Sequence, residues 1–409
     1  MSGYPLDILR ELASACEAAA RCQLVEHDWE WRAERTIADL RHAPAATRIE
    51  YNDLYVLPYP NGQYPDSMVQ LALISALQTY ARAQGRESPL ASQLWSGVHR
   101  FYDPSVQTLR RYLPNIGEEK DYDAVDSWYL YHPLSNLARL ALDGSAEARD
   151  LLLGSVEYGI RAAHHFSYAW PVLYKIDDFT VIQQQMDADR PGESDAGGLY
   201  AYLMVQLAEL TGETRYLDEA RAALRAATAA PDALMYQTNL TAWGAAACVR
   251  LYRVQEEREW WERCHLWLAA LMRHVRTDGY ADEHALGYPT FMASPCMYNS
   301  AYIAPFEDHE CYTALGEILA LGGSDLDPAA DLLAREFRRR ARHRAWYCYP
   351  DMLPGNRFAQ EQEAGIIDRS LSFPLEDLYF DRRPVGQVGQ EIYGAGAALI
   401  YAADSSPTH

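Results

Sequence analysis

The chain has 409 residues, of which 49% are hydrophobic and 23% charged, globular values that exclude a wholly disordered or fibrous protein. A formal net charge of −21 opposes any phosphate-rich surface, so nucleic acid and anionic membrane are not expected partners and room is left only for a local basic groove. No run approaches the ~18 uninterrupted apolar residues of a membrane helix, and MSGYPLDILRELASACEAAARCQL has no basic stretch leading into an apolar one, so the expectation is a cytoplasmic protein.

From the amino end, 6–41 reads as helical, and after it a couplet recurs in which a largely apolar helix is followed by an amphipathic one. The couplets are 66–83 with 89–112, 132–142 with 146–165, 195–227, 239–252 with 256–275, and 310–321 with 327–343. The third is the clearest. DAGGLYAYLMVQLAEL is apolar on nearly every face. TGETRYLDEARAALRAA then sets Leu217, Ala220 and Leu224 against Arg215, Asp218, Glu219, Arg221 and Arg225, and the two helices meet at Gly212. A last apolar helix over 388–403 has no following partner, so the helices of 6–41 must supply it. Six inner helices, each with an outer one, describe an all-α (α/α)6 toroid, the alternative being an open superhelical solenoid; the unpaired first and last elements favour closure. Gly394, Ala395, Gly396 and Ala397 suit crowded inner helices. No linker divides the chain, so a single domain over 1–409 is expected.

Connections within couplets are short, whereas the segments leading into the inner helices are long: 51–65, 115–131, 166–194, 232–238, 277–308 and 346–387. Long loops in a compact domain are usually functional, and these six are expected on one face, at the amino ends of the inner helices.

The alternation, the couplet GLYAYLMVQLAELTGETRYLDEA and the closing VGQEIYGAGAAL together resemble the six-hairpin glycosidase superfamily over almost the whole length. That superfamily includes glucoamylase-type hydrolases, unsaturated glucuronyl hydrolases, sugar 2-epimerases and several polysaccharide lyases. The resemblance implies an enzyme acting on an oligosaccharide, including one that carries uronic acid.

Glycoside hydrolysis needs one protonated carboxyl to assist the leaving oxygen and one ionised carboxyl to activate water or attack the sugar. Asp177 and Asp178 are adjacent in YKIDDF, where mutual repulsion would hold one pKa high; the alternative is a pair of solvated loop acids. Glu193 and Asp195 stand at an inner-helix start in PGESDAGG, where Asp195 is either an ordinary N-cap or the acid/base that the glucuronyl hydrolase resemblance implies. Gly197 and Gly198 would leave its carboxylate open to substrate. Glu307, Asp308, His309 and Glu310 form another such cluster in APFEDHECY, with helix capping as the alternative. The catalytic set expected is Asp195, Asp178, Asp177 and Glu310.

Stacking on sugar rings is expected of Trp128, Trp170, Trp243, Tyr298 and Tyr393, helped by His132, His309 and Arg357, and 29 Tyr and 10 Trp against 9 Phe fit a polar aromatic cleft. Tyr55, Tyr298, His132 and His309 are the bases available to a lyase or epimerase. A noncatalytic helical binding scaffold is the third reading. The seven cysteines are scattered without CxxC, no HxxxH or HExxH occurs, and glycine-rich phosphate loops are missing, so neither metal nor cofactor is expected. Oligomeric state has no signature.

Overall fold

The computed structural model describes residues 4–19, 24–50, 53–62, 64–114, 120–188, 191–277, 289–376 and 388–405; Cys22 lies outside them. Its main helices are α1 (Tyr4–Ala19), α2 (Trp29–His42), α3 (Ser67–Ala83), α4 (Pro89–Trp95), α5 (Ser127–Leu142), α6 (Ala146–His165), α7 (Ala196–Thr211), α8 (Arg215–Ala227), α9 (Thr238–Gln255), α10 (Arg258–Met272), α11 (Pro305–Gly322), α12 (Pro328–Trp346) and α13 (Gly396–Ser405). Strands are short and confined to small antiparallel sheets: β1 (Arg48–Glu50) with β2 (Leu54–Val56), β3 (Tyr102–Asp103) with β4 (Thr108–Leu109), β5 (Ala124–Val125), β6 (Leu173–Lys175) and β7 (Val181–Gln183) together, and β8 (Leu375–Glu376) with β9 (Gly389–Gln390). Helix starts follow the polar residues in front of them. Asp66 accepts from the N–H of Val69 at 2.8 Å, Asp126 from that of Tyr129 at 2.8 Å, and Ser145 from that of Ala148 at 3.2 Å. Gly212 ends α7 in the left-handed region at φ 76°, where the sequence places the junction.

Two expected helices are shorter than their apolar spacing suggests. The one over 89–112 stops at Trp95 and gives way to a 3-10 turn, Val98–Phe101, and the β3–β4 hairpin. Gly97 follows the stop, packed so that a Cβ would fall 2.7 Å from the Tyr55 ring, and the hairpin turns at Pro104, where Asp103 accepts the N–H of Ser105 at 2.8 Å. The closing helix begins at Gly396 rather than 388, because the N–H groups of Glu391 and Ile392 are drawn to Pro374 O at 2.8 Å and Pro58 O at 2.9 Å.

The chain folds into two compact units, one of Met1–Glu11, His99–Arg273 and Thr313–Leu332, the other of Leu12–Val98, His274–Tyr312 and Leu333–His409. In the first, α5, α7 and α9 pack on one another in chain order, and each packs on the helix that follows it. Ala196 to Leu207 are buried without exception, so α7 is an inner helix, and α8, buried at Tyr216, Ala220, Ala223 and Leu224, is its outer partner. Glycine brings the inner helices together: a Cβ on Gly198 would lie 2.7 Å from Leu240 O and one on Gly244 would lie 2.6 Å from the Trp267 ring. Gly197 is enclosed likewise by Ala223 O and the Trp170 ring. These glycines therefore serve helix packing, and the expectation that they open a path to Asp195 is not met. In the second unit α13 packs on α2 and α3, and α3 on α4. Among the described residues no helix is long and apolar enough to cross a membrane.

Candidate active site

In the first unit three of the long segments meet over the amino ends of α5, α7 and α9. Strand β5, just before α5, pairs with β6, and β6 with β7. Glu193 fastens the loop ahead of α7: its N–H donates to Trp170 O at 3.0 Å, and its Oε2 accepts the N–H of Ser127, the first residue of α5, at 3.0 Å. Asp195 makes the corresponding bridge to α9, its Oδ2 accepting from the N–H of Gln237 at 2.9 Å and the hydroxyl of Thr241 at 2.6 Å. It occupies the N-cap position of α7 but makes no cap bond to its own helix, so the ordinary-cap reading is replaced by a brace to the neighbouring one. Its other oxygen, Oδ1, is buried with no hydrogen-bond partner.

Burial raises the Asp195 carboxyl to a pKa of about 6, against the pull of the Thr241 hydroxyl and the Gln237 amide. Glu193 is driven well above its ordinary range by burial and by the charges of Asp126 and Asp195. Asp126 is also raised by burial, opposed by Arg111, whose Nη1 stands 3.9 Å away. Burial thus biases both carboxyls toward the protonated form, and Asp195, at about 6, is mostly ionised at pH 7. Beside the acids, Trp128 is partly open and lies edge-on to His132 at 5.5 Å. The His132 Nε2 is 3.1 Å from Asn239 Nδ2 of α9. Arg111 stacks over Tyr129 at 3.3 Å.

The other expected residues divide by place. Asp177 and Asp178 sit exposed in the β6–β7 turn, the first bound to Arg110 at 2.7 Å, the second accepting the Thr180 N–H at 2.9 Å, which holds its carboxyl below the usual range instead of raising it. Trp170 and Trp243 are 2% and 1% exposed and belong to the core, Trp170 donating to Tyr131 Oη at 3.0 Å and Trp243 packing on Tyr202 at 4.5 Å. In the second unit, His309 and Glu310 are buried in the first turns of α11; His309 lies edge-on to Phe306 at 5.2 Å and against Gly396. Asp308 of the same cluster is paired with Arg344 at 2.5 Å. Tyr393 is buried beside Phe306 at 5.3 Å, whereas Tyr298 and Arg357 are half-buried, in a turn and in the 3-10 segment Gly355–Arg357.

Sequence reasoning missed Asp126, Asn239, Thr241 and Glu391. Asp126 carried a signal, since it precedes a helix start in VDSW. Glu391 repeats the Glu193 device in the second unit: its N–H goes to a loop carbonyl, Pro374 O, and its Oε2 accepts the N–H of Phe306 at the start of α11 at 3.1 Å. Among the described residues no group of three or more His, Cys, Asp or Glu side chains could hold a metal ion.

No family model matches the chain, and no curated protein matches it in sequence. Solved structures do match in fold. A family 76 glycoside hydrolase (mannosidase) from Bacteroides thetaiotaomicron superposes with a TM-score of 0.59 at 11% identity, covering 92% of this chain and 98% of its own. A sugar epimerase from a ruminal bacterium gives 0.59 at 9% identity over 93% and 99%. Cellobiose 2-epimerase from Spirochaeta thermophila gives 0.55 at 11% identity over 92% and 98%. The chain shares the (α/α)6 fold of these structures.

Proposed function

We propose that the protein is a carbohydrate-active enzyme that hydrolyses a glycosidic bond of an oligosaccharide, with Asp195 as the base and a neighbouring protonated carboxyl, Glu193 or Asp126, as the acid. The observation that carries this reading is the Asp195 carboxylate at an inner-helix start: Oδ2 is fixed by two donors, while Oδ1, equally buried, has no hydrogen-bond partner. Trp128 supplies a partly open ring of the kind that stacks on sugars. The hydrolase and the two epimerases of the same fold support a saccharide substrate. The whole chain is taken as one catalytic domain.

A second reading, epimerisation, is favoured by His132, a buried imidazole held beside Asn239 of α9 and therefore positioned for proton transfer at a sugar carbon. Product mass from a panel of oligosaccharides separates the two. Hydrolysis yields fragments whose summed mass exceeds the substrate by one water, whereas epimerisation changes retention without changing mass. An ultraviolet-absorbing product without added water would point to elimination and overturn both.

A further inference from the structure

In the second unit a group of carboxyl and phenol side chains lies outside the acids used above. Tyr59, between β2 and α3, donates its hydroxyl to Glu376 Oε2 at 2.7 Å, and the Tyr302 hydroxyl bonds to the same carboxyl. Glu391 is fully buried; its Oε2 is taken by the Phe306 amide, but Oε1 is enclosed with no partner. Tyr393 adjoins Tyr59 at 6.1 Å and Phe306 at 5.3 Å. The frame is rigid, because a Cβ on Gly394 would fall 2.1 Å from Glu391 Oε2 and one on Gly389 would fall 2.6 Å from the Tyr59 ring.

The charges acting most strongly on these carboxyls are themselves negative: Glu376 and Glu307 on Glu391, and Glu363 on Glu376. Burial, with Glu363 adding to it, lifts Glu376 to about 7, and burial with its two acidic neighbours lifts Glu391 well above its ordinary range. Burial thus biases both toward the protonated form, and Glu376 is close to half protonated at pH 7. We propose that Glu376 and Glu391, walled by Tyr59, Tyr393 and Phe306, bind the ammonium group of an amino sugar. The inference rests on the carbohydrate reading and concerns a sugar held within the second unit. An ammonium brings three N–H donors and a full charge: one donor serves Glu391 Oε1, another Glu376, and the charge favours the ionised carboxyls, so that the proton they hold between them leaves to solvent. The surrounding rings favour a cation for the same reason. A sugar hydroxyl would satisfy Oε1 but bring no charge to offset the carboxyls as they ionise, and a uronic acid would add a negative one.

The test is titration calorimetry of the whole protein at pH 7 with D-glucosamine, D-glucose and D-glucuronic acid, in two buffers of different protonation enthalpy. Glucosamine is expected to bind about tenfold more tightly than glucose, as one charge-assisted hydrogen bond predicts, and to release on the order of one proton. Glu376→Gln and Glu391→Gln, checked as folded by circular dichroism, should each bring glucosamine to parity with glucose and abolish the release. Equal binding of the two sugars by the wild type, or a folded E376Q that keeps the preference, overturns the proposal. If the wild type shows no preference yet the oligosaccharide panel is hydrolysed, the amine inference falls alone; if no sugar binds and no product forms, both fall. Should neither variant fold, the wild-type preference and proton release decide the matter.

Discussion

Asp195 sits in a balance that pH can tip. Its folded pKa of about 6 lies above the ordinary aspartate value of 3.8, so the protonated form stabilises the fold. That contribution is fully present below the unfolded value and is lost as pH rises through about 6, amounting to ~3 kcal/mol in all. Asn at this position does not titrate. We therefore expect the stability advantage of wild type over Asp195→Asn, measured by urea denaturation, to shrink by a few kcal/mol between pH 4.5 and 8. If Asp195 is the base, the same variant should also lose about 100-fold or more in turnover at every pH. A D195N protein with full turnover and an unchanged pH dependence of stability would remove Asp195 from both roles.

At the level of elements, the packing of α7 on α9 and of α9 on α10 depends on the absence of a side chain at Gly244. Gly244→Ala places a methyl 2.6–2.8 Å from the Trp267 ring, which is buried and cannot retreat, and should cost ~1–3 kcal/mol. Gly154, also helical but exposed, is the control: its nearest neighbour would be the Tyr102 hydroxyl at 4.0 Å, so Gly154→Ala should be stabilising by about 0.5–1 kcal/mol through its better helix propensity. Thermal melts of both variants check the pair. Equal effects would mean that the contact at Gly244 relaxes freely. The recurrence of one bridge in both units, Glu193 to Ser127 and Glu391 to Phe306, shows how such helices keep alignment at their amino ends: a carboxyl oxygen in one loop satisfies the first amide of another helix.

For the whole molecule, each unit is assembled from three separated stretches of chain, so neither can be excised as a continuous piece. We expect a single unfolding transition with equal calorimetric and van't Hoff enthalpies; two resolved transitions would contradict the one-domain proposal. Helical periodicity made the architecture legible in the sequence, since α7 and α8 meet at Gly212 as their apolar faces require. Periodicity also misled: Leu90, Ala91, Leu94, Val98 and Phe101 are all buried at helical spacing, yet the helix ends at Trp95 and the later two pack from a 3-10 turn. Asp195 was legible as a helix start, but its brace was not. One donor is a backbone amide 42 residues away and the other a hydroxyl 46 away, and a main-chain donor leaves no mark in the sequence. Asp177 and Asp178 were attractive because they were adjacent, a property that says nothing about whether a turn leaves them in water.

The loop ahead of α7 has its two ends stapled together. The Glu193 amide is bonded to Trp170 O, and Gly192 approaches so closely that a Cβ there would fall 1.9 Å from that oxygen. The chain thus departs and returns through one gate, while Glu193 and Asp195 are anchored to α5 and α9 rather than to the excursion between. Tyr174 of β6 and Ile176 just after it are buried and stay with the frame, whereas 180–188 is exposed along most of its length. That outer stretch can accordingly be exchanged for another sequence with the acids left where they stand, which makes it the natural cassette for redesigning what the protein recognises.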